Sequence, residues 1–333
     1  MDPTAPIPLD NQLIEGLAKS RPTFANLPGT LWQARIFWVT LEGPIGAGKT
    51  ELFKVLSPKL EEHFGKDRIF FVPEPIDELM SSGLFQEYQH DPKRWAFEFQ
   101  TTFFHKRTLY FREAYDRMLK KLASTAVPQD EQSVKTAIVL SERSIVSDTC
   151  FMRVQYECGH VNEDSLHRYL DLNAMWRELY RGIAPNLIVY CRAGTDTASI
   201  VDLCQQRIRE RKREAEEDLV TPEYNGLVLR EHDRLFLQPG SVFVVKGFVG
   251  GGPFQDPLAI PVVVVDTTEN YRDDSRLALK KSSELLNHIK ASLPPLEVAK
   301  VSYLPPPEHP AWNDVVVVRR VDTTDWQTAT GLE

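Results

Sequence analysis

The stretch LEGPIGAGKTEL, residues 41–52, contains a complete phosphate-binding motif. It fits the pattern G-x-x-x-x-G-K-[ST], ends the apolar run RIFWVTLEG and precedes a segment with helical periodicity. Glycines in such a loop let backbone N–H groups turn towards an anion, and the following helix adds partial positive charge. The motif predicts a site for a nucleoside triphosphate and Mg²⁺, with Lys49 on the outer phosphates and Thr50 on the metal. The predicted nucleotide-binding residues are Gly43, Pro44, Ile45, Gly46, Ala47, Gly48, Lys49 and Thr50.

The overall composition is that of an ordinary globular protein. The chain has 333 residues, enough for one domain with extensions or for two small domains. Its net charge of -8 argues against a nucleic-acid polymer as partner. The longest apolar runs are too short to span a membrane, the start of the chain resembles no targeting segment, and the four cysteines fit no zinc or redox motif. We therefore expect a cytoplasmic protein, or one that reaches the nucleus by diffusion, without a membrane partner.

Short apolar runs alternate with longer helix-like segments after the arm-like first residues. This alternation predicts a parallel five-stranded sheet with helices on both faces, and ligands at the carboxyl ends of the strands. The predicted strands are IFWVTLE, RIFFV, TAIVLSE, NLIVYCR and PVVVVD, and the predicted helical segments are 49–64, 92–122, 145–180, 196–216 and 272–292. The predicted organisation is a mobile arm at 1–34, a folded domain at 35–293 with a glycine-rich insertion at about 239–258, and an extension at 294–333.

Two further strand ends carry charged residues. VPEPIDEL places Glu74 just beyond the second strand, where a carboxylate could accept the proton of an attacking hydroxyl. SERSIVSD places Glu142, Arg143 and Asp148 after the third strand. A Glu-Arg pair there could put one charge on a metal and the other on phosphate. For each motif alone, an exposed loop glutamate or a structural salt bridge is the alternative interpretation.

The run QQRIRERKREAEED, within a candidate lid at about 205–220, places Arg207, Arg211 and Arg213 on neighbouring helix faces. Such a run is usually a solvated surface, but beside a phosphate loop it could close guanidinium groups over a moving phosphoryl. The absence of NKxD and DxxG motifs argues against a guanine-nucleotide switch. An ATPase stays open at this point, because PVVVVD ends at Asp266 like a metal-binding strand. A lid that excludes water favours a kinase.

In this order, these elements resemble the deoxynucleoside kinase family, which includes deoxycytidine, deoxyguanosine and mitochondrial thymidine kinases. The resemblance runs from about residue 36 to 292. GPIGAGKT resembles the family's phosphate loop, VPEP its catalytic-base motif, ERS its third-strand motif and RIRERKRE its arginine lid. DPKRWAFEFQ resembles a segment of the helix over the nucleoside, and PVVVVDTTENY the last strand and adenine loop. The resemblance implies a P-loop kinase that uses ATP and Mg²⁺ to phosphorylate the 5′-hydroxyl of a deoxynucleoside, in nucleotide salvage.

The resemblance also implies roles for individual residues. Glu74 would be the general base, Arg143 would lie near the 5′-oxygen, and Glu142 would bind Mg²⁺ together with Thr50. The remaining nucleoside contacts would come from Ile45, Phe99, Gln100 and Glu216, with Glu216 on the sugar 3′-hydroxyl and Gln100 on the base. Arg207, Arg211 and Arg213 would be the lid arginines, Asn270 and Tyr271 would lie near adenine, and Asp266 would be structural.

At the predicted base and sugar contacts, this chain either matches only some members of the family or departs from the family pattern. Arg107 and Asp148 match a charged pair that the family uses for deoxycytidine and deoxypurines, so we expect these substrates over thymidine; a salt bridge that only orders two helices is the alternative. The family's sugar-binding tyrosine aligns with Gln89, unless one inserted residue restores Tyr88 to that role. Leu79 stands where relatives often carry tryptophan.

Two other functions remain alternatives from the sequence. A nucleoside monophosphate kinase also pairs a phosphate loop with an arginine lid, although Glu74 would repel an acceptor phosphate. A catalytically silent binding or scaffold protein could use the same fold, although Lys49, Thr50 and Glu74 are intact. The resemblance further implies a homodimer, for which the amphipathic segments 101–122 and 163–180 are the candidate interface.

Overall fold

A computed structural model describes most of the chain between Ala34 and Leu293. The residues it describes are 34–124, 135–145, 147–179, 185–211, 219–237, 243–246, 260–271 and 274–293. The C-terminal extension, the arm apart from Ala34 and most of the glycine-rich insertion lie outside the described residues. Two predicted lid residues, Arg213 and Glu216, also lie outside them.

The described part of the chain contains six strands. They are β1 (Ala34–Glu42), β2 (Ile69–Val72), β3 (Lys135–Glu142), β4 (Leu187–Arg192), β5 (Phe243–Lys246) and β6 (Ile260–Asp266). All are parallel and form one sheet with the order β2-β3-β1-β4-β6-β5. The predicted parallel α/β architecture is confirmed.

The sheet has one strand more than the sequence predicted. All five predicted strands are present, and the additional one, β5, comes from the start of the segment interpreted as a glycine-rich insertion. Its four residues pair with β6 at the edge of the sheet. An apolar run this short cannot be told from a loop by its pattern, because its backbone pairing with β6 is a tertiary contact.

Nine α-helices lie among the described residues, most of them in the connections between strands. They are α1 (Lys49–Phe64), α2 (Ile76–Met80), α3 (Leu84–His90), α4 (Pro92–Ser124), α5 (Asp148–Glu157), α6 (Glu163–Leu179), α7 (Thr197–Arg211), α8 (Pro222–Leu237) and α9 (Ser275–Ser292). A 3₁₀ turn, Lys66–Arg68, leads into β2.

Three helical regions differ from the prediction. The short helices α2 and α3, between β2 and α4, were not predicted. The segment predicted as one helix at 145–180 is two helices, because Gly159 adopts a left-handed φ of 69° just after α5 ends. Helix α8 was not predicted, although buried Val228, Leu229 and Phe236 recur along it at helical spacing. The position of α8, directly after the lid, makes it the more important omission.

Two apolar cores cover the two faces of the sheet. Side chains alternate along β1, with Phe37, Val39 and Leu41 in one core and Trp38 in the other. The first core includes Leu52, Leu56 and Leu60 of α1 and Leu285 and Ile289 of α9; the second includes Phe104 and Phe111 of α4, Tyr169 of α6 and Phe236 of α8. The sheet is therefore covered by an apolar core on each face.

The candidate site lies at the carboxyl edge of this sheet. The phosphate loop follows β1, Glu74 follows β2, and Arg143 follows β3. Because β1 is central and the chain leaves it towards both sides, a crevice opens at this edge, where ligands bind in such folds. Within the described ranges, no helix combines the length and apolar character needed to cross a membrane.

Candidate active site

The phosphate loop is fitted closely against β4 and α7. Gly43 has a φ of 140°, and a Cβ atom there would lie 2.4 Å from the carbonyl oxygen of Cys191. Gly46 has a φ of 85°, and its Cβ atom would lie 2.5 Å from the carbonyl oxygen of Cys204. Both positions therefore require glycine, for conformation and for space.

Lys49 lies across the mouth of this loop. Its ammonium donates hydrogen bonds to the carbonyl oxygens of Gly43, at 3.1 Å, and Pro44, at 2.8 Å. The side chain is buried, and burial together with the Arg143 guanidinium lowers the pKa of Lys49 to about 8. A buried cation at a glycine-rich loop is well placed to meet an anionic phosphate.

Glu74 is held by two guanidinium groups. Its Oε1 lies 2.8 Å from Nη2 of Arg107 and 2.9 Å from Nε of Arg143. Burial by itself raises the pKa of Glu74, but the neighbouring cations Arg143, Arg107 and Lys49 hold it below the ordinary glutamate value. The carboxylate is therefore ionised at neutral pH and can accept a proton.

Arg143 connects this carboxylate to the phosphate loop. Its backbone has a φ of 65°, which is rare for a non-glycine residue, and its N–H donates to the carbonyl of Leu41 at 2.9 Å. Its Nη1 donates to the carbonyl oxygen of Gly43 at 2.8 Å, and its guanidinium lies 4.6 Å from the ring centre of Phe151. The sharp turn after β3 thus directs the side chain back over β1.

Arg107 and Asp148 form the predicted charged pair. Nη1 of Arg107 donates to Oδ1 of Asp148, and both side chains are almost completely buried. Burial raises the pKa of Asp148, and the Arg107 guanidinium opposes that rise. Gln100 completes this wall, with its Nε2 3.5 Å from Oδ1 of Asp148. Helices α4 and α5 therefore present a donor and acceptor surface to the cavity.

Tyr88, and not Gln89, faces the cavity on the side predicted for the sugar. Tyr88 is buried and lines the cavity, whereas Gln89 does not line it. The ring of Tyr88 stacks on Phe99 with 4.6 Å between centroids, and its hydroxyl accepts a hydrogen bond of 2.7 Å from Gln155. Burial raises the pKa of Tyr88 to about 12, so the hydroxyl keeps its proton. Leu79 also lines this side of the cavity.

Most of the predicted site residues line this one cavity. From the sequence-predicted set they are Ile45, Gly46, Lys49, Thr50, Glu74, Tyr88, Phe99, Gln100, Arg107, Arg143, Asp148 and Arg211. The nucleotide loop, the candidate base and the candidate nucleoside walls therefore share one space.

The comparisons with known proteins agree with this arrangement. The family model described as deoxynucleoside kinase matches residues 39–292. The chain belongs to the deoxynucleoside kinase family. A solved deoxyadenosine kinase from M. mycoides with bound dCTP has a TM-score of 0.50 and 18% identity, covering 77% of this chain and 100% of that one. This likeness confirms the P-loop kinase fold.

Curated members of the deoxynucleoside kinase family show the same distant relationship. The probable deoxycytidine kinase of fowlpox virus is 23% identical over 252 residues, covering 75% of this chain and 86% of the relative. Deoxycytidine kinase 2 of Gallus gallus is 26% identical over 282 residues, covering 79% and 92%. The mitochondrial deoxyguanosine kinase of Xenopus laevis is 24% identical over 271 residues, covering 76% and 88%.

Glu142 and Thr50 are the residues that would hold Mg²⁺ according to the resemblance. Oε1 of Glu142 is buried without a hydrogen-bond partner, and such a carboxylate oxygen suits a hard cation. Among the described residues, no group of three or more His, Cys, Asp or Glu side chains could hold a metal ion. Mg²⁺ commonly takes one or two protein oxygens and completes its shell with phosphates and water, so this sparse donor set is suitable.

Two of the three predicted lid arginines, Arg207 and Arg211, lie among the described residues. Arg207 donates from Nη2 to the carbonyl oxygens of Thr267, at 2.7 Å, and Thr268, at 3.1 Å, which joins α7 to the turn after β6. A Cβ atom at Gly48 would lie 3.7 Å from the other terminal nitrogen of Arg207, so this guanidinium reaches the phosphate loop. Arg211, one turn further, lines the cavity.

The predicted adenine residues do not line the described cavity. Tyr271 is buried in the core, and its hydroxyl donates to the carbonyl of Asp266 at 2.7 Å, while Asn270 is exposed. The Asp266 carboxylate accepts hydrogen bonds from the backbone and hydroxyl of Thr268, at 2.9 and 2.5 Å. These contacts are those of a residue that orders a turn, as the resemblance implied for Asp266.

Sequence reasoning missed three buried polar residues around the site. Gln155 of α5 donates to Tyr88, while Asn225 and His232 of α8 contact the phosphate loop and Arg143. The available signal was a polar residue at a core-facing position of a helical pattern. Without α8 in the prediction, that signal could not be recognised for Asn225 and His232.

Proposed function

We propose that the protein transfers the γ-phosphoryl of ATP to the 5′-hydroxyl of a deoxynucleoside, giving the 5′-monophosphate and ADP. The observation that carries this proposal is the position of the Glu74 carboxylate, which Arg143 and Arg107 hold in the same cavity as Lys49. A general base beside a phosphate-binding lysine suits a hydroxyl acceptor.

The proposed mechanism assigns a task to each side chain. Glu74 takes the proton of the 5′-hydroxyl, whose oxygen attacks the γ-phosphorus while ADP leaves. Lys49 and the lid arginines stabilise charge on the moving phosphoryl, and Arg143 keeps Glu74 oriented towards the phosphate loop. Thr50 and Glu142 would hold Mg²⁺, which neutralises phosphate charge when bound. Most of the acceleration comes from positioning and electrostatics.

The base pocket supports deoxyguanosine, deoxyadenosine or deoxycytidine as substrates over thymidine. The buried Arg107 and Asp148 supply a donor fork and an acceptor for polar ring edges, and they take up the room of a thymine methyl group. The relatives' names, which include deoxycytidine, deoxyguanosine and deoxyadenosine kinases, point the same way.

A steady-state panel of four deoxynucleosides with ATP and Mg²⁺ tests both the reaction and the preference. We expect kcat/KM for at least one of the three favoured nucleosides to exceed that for thymidine by tenfold or more. A thymidine preference would overturn the Arg107 and Asp148 argument while leaving the reaction intact. Faster phosphorylation of deoxyguanosine monophosphate than of deoxyguanosine would indicate a monophosphate kinase, and no ADP release with any acceptor would indicate a silent binding protein.

The proposal extends to the domain bounds, the cellular location and the oligomeric state of the enzyme. We propose residues 35–293 as the kinase domain and a cytoplasmic enzyme of nucleotide salvage. We also propose a homodimer through α4 and α6, as the family resemblance implies, and Met175 of α6, which is 50% exposed, offers a position at which to test it.

A further inference from the structure

Helix α8 carries two buried polar residues towards the site, although the mechanism above does not use either. Asn225 is 1% exposed and His232 is 0% exposed. They are seven residues apart, close to two helical turns, so they lie on the same side of the helix. The helix begins directly after the candidate lid. A buried polar group needs a partner, and here both partners belong to the active site.

Asn225 pairs with the backbone of the phosphate loop at two points. The N–H of Ile45 donates to Oδ1 at 3.2 Å, and Nδ2 donates to the carbonyl oxygen of Ile45 at 2.9 Å. The opposite amide orientation would place donor against donor and acceptor against acceptor, so the contact has one arrangement. This pairing fixes the third residue of the loop.

His232 contacts Arg143 through one ring nitrogen. Its Nδ1 lies 2.8 Å from the carbonyl oxygen of Val228, and its Nε2 lies 3.2 Å from Nη1 of Arg143. A carbonyl only accepts and a guanidinium only donates, so the proton is on Nδ1 and Nε2 accepts. Burial and the adjacent Arg143 lower the pKa of His232 well below its ordinary value, which keeps the ring neutral.

Arg143 therefore has its terminal nitrogen fixed from two directions. The same Nη1 donates to the carbonyl oxygen of Gly43 at 2.8 Å and faces Nε2 of His232 at 3.2 Å. Its Nε pairs with Glu74. The orientation of the candidate base thus depends, through Arg143, on a neutral imidazole of α8.

We propose that Asn225 and His232 are positioning residues, through which α8 holds the phosphate loop and Arg143 in the geometry required for phosphoryl transfer. For its kinetic consequences this inference rests on the proposed function. Neither residue touches the reacting atoms; each acts through a group that does. Through these two residues one helix contacts both the phosphate loop and Arg143.

Two substitutions of His232 separate positioning from simple packing. In His232→Gln the amide oxygen can reach the place of Nε2 and accept from Arg143, whereas in His232→Asn the amide can replace only Nδ1 and donate to Val228. We expect the Gln variant to keep kcat within about threefold and the Asn variant to lose about tenfold or more, with KM for the nucleoside little changed. Equal losses at equal thermal midpoints, or a more active Asn variant, would overturn the role of His232.

A spectroscopic measurement tests His232 without relying on activity. Long-range ¹H–¹⁵N correlation spectra of the imidazoles at pH 7 should show His232 as the neutral tautomer protonated on Nδ1, assigned by its disappearance in His232→Asn. A ring protonated on Nε2, or one that titrates near its ordinary pKa, would overturn the contact with Arg143. This result stands even if the deoxynucleoside panel shows no transfer, so failure of the proposed function is distinguishable.

Nucleotide binding tests the positioning role of Asn225 without relying on turnover. Asn225→Leu removes both hydrogen bonds, and Asn225→Asp keeps the shape but places an oxygen against the carbonyl of Ile45. Calorimetric titration with ADP and Mg²⁺ should show a Kd raised about fivefold or more in both variants. Glu223→Gln, an exposed change on the same helix, is the control and should leave Kd unchanged. Affinities within twofold of wild type in both Asn225 variants would overturn its role.

Discussion

One carboxylate oxygen of Glu74 forms ion pairs with two guanidinium groups. Arg107 approaches it from the base pocket and Arg143 from the phosphate loop. This placement orients the carboxylate and keeps it ionised, although a lower pKa also makes it a weaker base. Positioning, more than basicity, therefore explains how this residue would assist the transfer.

Glu74→Gln tests the candidate base. The amide oxygen can still accept from both arginines, so nucleoside affinity should stay within a fewfold of wild type. The variant cannot take a proton, so we expect kcat to fall by a factor of about 100 or more. Turnover and nucleoside Kd are measured together, with the exposed Glu78→Gln as control. Wild-type turnover in the Glu74 variant would remove this residue from the mechanism.

The depressed pKa of Lys49 predicts an alkaline limit in the free enzyme. Lys49 loses its charge as the pH rises through about 8, so kcat/KM for ATP should decline above that pH. Lys49→Arg keeps its charge at every accessible pH and should lose this limb, even though its activity is lower. A wild-type profile that is flat to about pH 9.5 would contradict the assignment of the limb to Lys49.

At the scale of elements, Arg107 joins three parts of the fold. It lies on α4, pairs with Asp148 at the start of α5, and reaches Glu74 after β2. Its guanidinium also lies 4.8 Å from the ring centre of Phe103. The pair can therefore support the fold and shape the base pocket together, and a stability measurement isolates the structural part.

Arg107→Met should cost about 3 kcal/mol in the free energy of unfolding, because it leaves Asp148 buried without its cation. The double variant Arg107→Met/Asp148→Leu removes both charges and should be more stable than the single variant. Denaturant unfolding measures both, with Lys59→Ala, which breaks an exposed pair with Glu62, as a control that should change the free energy of unfolding far less. A loss below about 1 kcal/mol in Arg107→Met would show that the buried pair is not structural.

Helix α8 shows how an element can be omitted by sequence reasoning. Its apolar residues have helical spacing, but Asn225 and His232 interrupt the apolar face at positions where only tertiary partners justify them. Their partners, the backbone of Ile45 and the side chain of Arg143, are distant in sequence. Strand β5 was not predicted for a similar reason, because its strand conformation depends on pairing with β6, a separate segment of the chain.

At the scale of the whole molecule, the proposed dimer makes a specific prediction. Met175→Glu places a charge on the proposed α6 interface and should weaken dimerisation by about tenfold or more. Leu279→Glu is the matched control, because Leu279 is similarly exposed, at 53%, but lies on α9. Sedimentation velocity across a concentration series measures both. A wild-type monomer, or equal weakening by the two variants, would contradict the proposed interface.

Residue order along the chain was sufficient to predict the parallel α/β class, the phosphate loop and the position of charged motifs at the ends of β2 and β3. These features depend on local periodicity and on short motifs whose chemistry is contained in neighbouring residues. Only the folded structure shows that Tyr88, and not Gln89, lines the cavity, that two arginines lie on Glu74, and which residues α8 contacts. These contacts depend on which side chains meet across elements that lie tens of residues apart. Burial and neighbouring charges shift the pKa values of Lys49 and Glu74 only once those elements pack.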